Sequence, residues 1–257
     1  MNKYAVIGRK VQNSKSPAIF KVLFEHYKVD AEYGFVEADI TDKKAMRKIV
    51  RELSGANITA PYKLLAAQAC DTIETDTGKY KAVNTIIKKR DVLVGYNTDI
   101  YGVLKGLEAL KTSCKKFLLL GTGGAAVAAA IAIKKMGGML YVHNRTLHKA
   151  EAFAEYYGAK VIRNIQDWGS DCVTVVNTVA CPEFVHEKID LLEVKDLSFL
   201  DAVYPFPEYA SHEKIKEYIK GEKWLIAQAL RNFELFTGYL LPDKDKKHWQ
   251  DFFEKYL

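Results

Sequence analysis

Short apolar runs alternate with segments of helical spacing along the whole chain. In the first hundred residues, the run Tyr4-Ala5-Val6-Ile7 predicts a strand over 4–7. Ile19, Val22, Leu23 and Tyr27 recur at the 3.6-residue period and predict a helix over 18–28. A second strand is expected over 33–37. Met46, Ile49, Val50 and Leu53 give a helix over 43–53. A third strand falls at 56–59, and Pro61 is expected to open the next helix, since proline fits a first helical turn. Runs at 83–87 and 92–94 flank Lys88-Lys89-Arg90, a pattern of two hairpin strands with a basic tip. A helix is expected from about Asp99 to Leu110.

The second half reads as repeated strand and helix. Strands are expected at 117–120, 140–143, 160–162, 172–177 and 198–204, with helical patterns between several of them. Such alternation predicts parallel βαβ units. After Trp224-Leu225-Ile226 the chain is expected to be helical almost to Leu257. These last helices are expected to pack back on the first domain, leaving a cleft between two α/β layers.

The strand at 117–120 runs directly into Gly121-Thr122-Gly123-Gly124-Ala125-Ala126, and an alanine-rich helix over 127–136 follows. This is the strand–turn–helix context of a dinucleotide-binding fingerprint. Gly121 suits the tight turn, Gly123 permits close approach of a pyrophosphate, and Ala126 permits close helix–strand packing. The helix N-terminus presents N–H groups and partial positive charge to phosphate. About 20 residues on, where NAD-binding chains carry Asp or Glu, stand Asn144-Arg145-Thr146, with Lys149 one turn later. A planar guanidinium suits a 2′-phosphate, so the reading is NADP; a solvated basic loop is the alternative.

At 257 residues the chain can bury the core of one or two domains. The net charge of +6, from 38 basic and 32 acidic residues, is scattered rather than striped. That distribution suits small anionic ligands and gives no nucleic-acid footprint. No apolar run reaches membrane-spanning length, and no signal peptide is read at the N-terminus. Cys70, Cys114, Cys172 and Cys181 form no C-x-x-C pair, the six histidines are dispersed, and no metal is expected. The cysteines are expected to be reduced thiols of a cytoplasmic protein.

Four motifs in the first half carry candidate chemistry. In Ser14-Lys15-Ser16-Pro17, two hydroxyls before a helix can donate to one carboxylate; alternatively Ser16 is an N-cap with Pro17 at the first turn. Asn57-Ile58-Thr59-Ala60-Pro61-Tyr62-Lys63 places a lysine in the first turn of a helix, where the dipole disfavours a cation. Ala82-Val83-Asn84-Thr85 and Gly95-Tyr96-Asn97-Thr98-Asp99 supply groups able to bind sugar-like hydroxyls. Asp99 can face Lys63 or simply cap the helix that follows it.

Taken together, these motifs resemble the shikimate dehydrogenase family. The resemblance continues through Asp201-Ala202-Val203-Tyr204, Gln228-Ala229, Phe233 and Thr237-Gly238, and so covers nearly the whole chain. It implies an N-terminal α/β substrate domain (1–102 plus about 236–257) and a Rossmann-like NADP domain (103–235), with a C-terminal helix returning to the first. It implies that Ser14 and Ser16, helped by Tyr204, hold the substrate carboxylate. Thr59, Asn84, Asp99 and Gln228 would hold ring hydroxyls, and Lys63 with Asp99 would be the catalytic pair. Ala125, Thr178 and Ala202 would lie along the cofactor.

The implied reaction is the reversible NADPH-dependent reduction of 3-dehydroshikimate to shikimate, in aromatic amino-acid (chorismate) biosynthesis. Alternatives are a dehydrogenase of quinate or a related ring acid, and a non-catalytic NADP-binding regulatory homologue. Retention of both serines favours shikimate, and retention of Lys63, Asp99 and Gln228 favours an enzyme. Monomer and homodimer both remain open. The chain departs from the family pattern at Lys10, Asn13, Lys81 and Lys223-Trp224, and the loop 178–181 lacks the common Gly-Met.

Overall fold

In a computed structural model, residues 1–75 and 81–257 are described. The chain divides into two compact units, Met1–Asp99 with Ile226–Leu257, and Ile100–Leu225.

The first unit is built on β1 (Asn2–Gly8), α1 (Ser16–His26), β2 (Ala31–Glu37), α2 (Lys43–Arg51), β3 (Gly55–Ile58), α3 (Lys63–Ala69), β4 (Thr72–Ile73), β5 (Thr85–Lys89) and β6 (Val92–Tyr96). Its sheet has the order β2-β1-β3-β5-β6-β4. β1 pairs in parallel with β2 and β3, whereas β5 runs antiparallel to β3 and β6. The basic hairpin tip is present, with Arg90 at φ 56°. Side chains alternate across β1. Ile7 joins Met46, Val50, Ile58, Ile86 and Leu93 in one core, while Tyr4 stacks on Phe236 and meets Phe24.

Helix α4 (Asp99–Ala109) leads into the second unit. It contains β7 (Lys116–Leu120), α5 (Gly124–Lys135), β8 (Met139–His143), α6 (Leu147–Tyr157), β9 (Lys160–Val161), β10 (Cys172–Asn177), α7 (Pro182–Leu191), β11 (Asp196–Asp201) and β12 (Ile215–Ile219). The order β12-β11-β10-β7-β8-β9 is parallel throughout, the doubly wound arrangement whose strand order reverses between β7 and β10. Helix α8 (Gly221–Thr237) carries the chain back, and α9 (Asp243–Tyr256) completes the first unit. Among the described residues, no helix is long and apolar enough to cross a membrane.

The first unit takes the chain up again at Ile226, within α8. The reason is packing: the apolar face of α8 meets α1 and β1 through Phe233–Phe24 and Phe236–Tyr4 contacts. Several expectations need correction. Pro61 does not open a helix; Ala60–Pro61 is cis and α3 begins at Lys63. The strand expected to reach Tyr204 ends at Asp201, where the carboxylate takes the Val203 N–H and turns the chain. Ser16 is the first residue of α1 rather than its cap, which is Lys15. Strands β4 and β12 were not expected, because two residues and a run as polar as Ile-Lys-Glu-Tyr-Ile give little apolar signal.

The reduced-thiol expectation also fails for one pair. Cys114 and Cys172 form a disulfide, with Cα atoms 6.1 Å apart. Cys114 precedes β7 and Cys172 starts β10, and these strands are parallel neighbours, so their starts are brought side by side. Cys70 and Cys181 are free.

Candidate active site

Strand direction gathers the first-half motifs at one end of the first sheet. Ser14 and Ser16 follow the end of β1, and Thr59 follows the adjacent end of β3, where its N–H donates to the Ile7 carbonyl at 3.0 Å. Because β5 is antiparallel to β3, its beginning lies at the same end, and the Ile58 N–H donates to the Asn84 carbonyl at 2.7 Å. Asp99 follows β6, which ends opposite the start of β5. Ligand sites collect at such strand ends.

Lys63 is the first residue of α3. The preceding turn is fixed by buried Tyr62, whose hydroxyl donates to the Ala38 carbonyl at 2.8 Å and accepts the Ile40 N–H at 3.1 Å. The Lys63 ammonium lies 2.5 Å from Asp99 Oδ2, with side-chain exposures of 14% and 3%. A carboxylate at the first residue of α4 suits that helix's positive end. It also supplies the counter-charge a sheltered ammonium needs. Asp99 thus faces Lys63.

Asn84 is buried, and both its amide hydrogens are directed at protein acceptors, Thr98 Oγ1 at 3.0 Å and Gln228 Oε1 at 2.8 Å. Its Oδ1 accepts the Thr98 N–H at 2.7 Å. Asn84 thus holds Gln228 and the Thr98 backbone next to Asp99. The Ser14 Oγ accepts the Ser16 N–H at 3.3 Å, which links the two serines.

A supporting network escaped the sequence reading. Thr85 Oγ1 donates to Asn232 Oδ1 at 2.7 Å and accepts from Asn57 Nδ2 at 3.0 Å, and Tyr33 donates to Asn57 Oδ1 at 2.8 Å. Asn232 was legible in one respect. It stands one turn after Gln228 on a helix otherwise lined by Leu225, Ile226, Ala229, Leu230 and Phe233.

The second unit contains the glycine turn. Gly121 follows β7 at φ +101°, a conformation that glycine adopts without strain. A Cβ there would stand 2.6 Å from Thr178 Oγ1, which itself donates to the Leu120 carbonyl at 2.7 Å. Gly123 precedes α5, is exposed, and a Cβ on it would meet nothing within 4 Å. Open space beside a helix N-terminus, at the point where the strand order reverses, fits a pyrophosphate. Thr122, Gly124 and Ala125 are half-buried around it.

Asn144-Arg145-Thr146 follows β8; Asn144 Nδ2 donates to the Thr146 carbonyl at 3.0 Å, while Arg145 and Lys149 are exposed. Thr178 follows β10, and Ala202 and Tyr204 follow β11. The loops after β10 and β11 are tied by buried Asp201, which accepts from Asn177 Nδ2 (3.0 Å), Tyr209 (2.7 Å), Tyr218 (2.9 Å) and the Val203 N–H (2.8 Å). Burial pushes its carboxyl above the usual range, against those hydrogen bonds. Trp224, where the family pattern has a smaller residue, is buried beside Gly102 of α4. A Cβ at Gly102 would stand 2.7 Å from the Trp224 carbonyl oxygen.

Residues 6–86 match the model of the shikimate dehydrogenase substrate binding domain. The chain is 31% identical over 255 residues to a shikimate dehydrogenase (NADP(+)) of Pyrococcus abyssi, covering 95% of this chain and 94% of that protein. It is 30% identical over 264 residues to the enzyme of the same name from Carboxydothermus hydrogenoformans, covering 94% of each. Among solved structures, it is similar to the Thermus thermophilus shikimate 5-dehydrogenase in complex with NADP(H) and shikimate. That likeness has a TM-score of 0.83 and 25% identity, covering 98% of this chain and 99% of the other. At 31% and 30% identity to the first two enzymes, over nearly the full length of both chains, the chain belongs to the shikimate dehydrogenase family.

Proposed function

We propose that this chain is a shikimate dehydrogenase that reversibly reduces 3-dehydroshikimate to shikimate with NADPH, a step in aromatic amino-acid biosynthesis. The observation that carries the reading is the Lys63–Asp99 pair, set at the sheet end that also bears Ser14, Ser16, Thr59, Asn84 and Gln228.

The first unit holds the substrate in this reading. Ser14 and Ser16 donate their hydroxyls to its carboxylate. Thr59, Asp99 and Gln228 hold ring hydroxyls. Gln228 accepts from Asn84 through Oε1, so its Nε2 is the end that donates to substrate. Asn84 contributes by fixing Gln228 and Thr98.

NADPH, when bound, supplies the hydride. In the second unit the turn Gly121, Thr122, Gly123, Gly124 and Ala125 lies along its pyrophosphate, and the N–H groups beyond Gly121 donate to it, since the Gly121 N–H is taken by the His143 carbonyl at 3.0 Å. Arg145, with Asn144, Thr146 and Lys149, takes the 2′-phosphate, as a guanidinium suits a phosphate dianion. Thr178 and Ala202 line the remainder of the cofactor.

The chemical demand on the protein is at the ketone oxygen of the substrate, where negative charge develops during reduction. The Lys63 ammonium stabilises that charge and donates a proton to that oxygen. Asp99 accepts from the ammonium and fixes its position. In the reverse direction the same amine receives the hydroxyl proton.

The test is a spectrophotometric assay of the purified chain with shikimate or quinate and NADP+ or NAD+. Reduced nicotinamide is expected to accumulate fastest with shikimate and NADP+. Turnover confined to quinate with NAD+ would overturn the substrate and cofactor assignments. Cofactor binding without turnover in any mixture would point to a non-catalytic homologue.

A further inference from the structure

The tertiary structure brings together two of the histidines that are dispersed in sequence. His186 and Asp190 stand four residues apart on α7 and share a face. The chain returns through β11 and a short 3-10 turn (Glu208–Ser211), and His212 follows that turn. His212 Nε2 lies 2.9 Å from Asp190 Oδ1, and His186 Nε2 lies 3.7 Å from Asp190 Oδ2. One ligand atom from each residue lies within 4.8 Å of the other two. The two imidazoles meet edge to face, with ring centres 5.5 Å apart.

We propose that His186, Asp190 and His212 form a binding site for a zinc-class divalent transition ion, which ties the C-terminal end of α7 to the loop after the 3-10 turn. Two ligands at about 2.1 Å from a tetrahedral ion are about 3.4 Å from each other. The observed 2.9 and 3.7 Å run to the Oδ1 and Oδ2 atoms of one carboxylate, and with all three ligand atoms within 4.8 Å of one another a small side-chain adjustment brings them onto one ion. Two imidazoles and one carboxylate select Zn2+, Co2+ or Ni2+ over the hard ions Mg2+ and Ca2+. Three protein ligands leave a fourth position for water.

The site is preorganised. The hydrogen bond from His212 holds the Asp190 carboxyl below the usual carboxylate range. Asp190 is also the penultimate residue of α7, where the helix dipole favours a cation. The opposing charge is Lys214, whose ammonium donates to the carbonyls of Asp190 (2.6 Å), Leu192 (3.0 Å) and Ile189 (3.3 Å) and is held there. His212 Nδ1 accepts the Lys214 N–H at 3.2 Å, so Nε2 carries the proton and donates to Asp190. Ion binding at Nε2 moves that proton to Nδ1 and gives up the long Lys214 bond, a small cost beside two metal–imidazole bonds.

The test uses untagged full-length protein freed of metal with a chelator, titrated with Co2+ and followed by its visible d–d absorption, then with Zn2+ by calorimetry. The expected result is one equivalent bound in a tetrahedral-type spectrum. Affinity should fall at least about tenfold in His186→Asn and in His212→Asn and stay unchanged in His148→Asn. Zinc should raise the melting temperature of the parent chain but not of the two site variants, by mass action on the folded state. Absence of a tetrahedral signal, or equal binding by the parent and both site variants, would overturn the proposal. Melting of the metal-free variants, and their unchanged turnover with shikimate, would show that the substitutions leave the fold intact.

Discussion

The ammonium of Lys63 sits 2.5 Å from a carboxylate oxygen of Asp99, although 36 positions of sequence separate them and they open two different helices. Neither is exposed enough for water to replace its partner. A buried pair of this kind is costly to assemble and costlier to leave half-made. Its retention is understandable where the ammonium has work to do on substrate.

Lys63→Ala should lower the kcat for 3-dehydroshikimate reduction by about 10²–10⁴, the usual worth of a positioned acid. Binding of NADP+, measured by quenching of tryptophan fluorescence, should change little. A variant with near-native kcat would remove the amine from the mechanism.

Arg145→Ala should weaken NADP+ by about tenfold or more, the worth of a charge-assisted hydrogen bond at an exposed side chain. NAD+, which lacks the 2′-phosphate, should be nearly unaffected. Dissociation constants for both nucleotides decide the matter, and equal losses would argue against the phosphate role.

Asn232→Leu leaves the Thr85 hydroxyl without its 2.7 Å acceptor inside the core of the first unit. The hydroxyl can turn to Asn84 Oδ1 at 3.1 Å, which already accepts the Thr98 N–H, so the expected loss is about 1 kcal/mol of stability, the net worth of one hydrogen bond. Urea denaturation reads this directly. A stability equal to the parent's would mean that Asn84 replaces the lost acceptor in full.

Glu234 joins α8 to α9, with Arg231 at 2.7 Å, Lys246 at 2.9 Å and the Leu241 N–H at 3.0 Å. Burial alone would raise its carboxyl, but these partners more than reverse that and hold it below the ordinary glutamate range. A depressed folded-state value means that the contribution to stability is complete above the ordinary glutamate value of about 4.3 and fades as pH falls through the folded one. Glu234→Gln should therefore cost about 1–3 kcal/mol at pH 7, and the gap to the parent should narrow in acid. Denaturation curves of both proteins at neutral and acid pH give the comparison; a gap independent of pH would show that charge is not the cause.

The strands and helices at the heart of each unit were readable from local pattern, because burial on one face imposes period 2 or 3.6 on the residues themselves. The glycine turn was readable as well, since φ +101° at Gly121 is a demand met by residue type. The family motifs pointed to Lys63 and Asp99 as a pair. Sequence could not say that Asn84 is already engaged by Thr98 and Gln228, because those partners are 14 and 144 positions away. Nor could it pair Cys114 with Cys172 or bring His212 to His186, since strand order and the path of the returning loop decide both. Periodicity and turn chemistry are local properties of a chain. Hydrogen-bond partners, buried charges and converging ligands depend on which distant segments the sheets place side by side, and only the tertiary structure decides that.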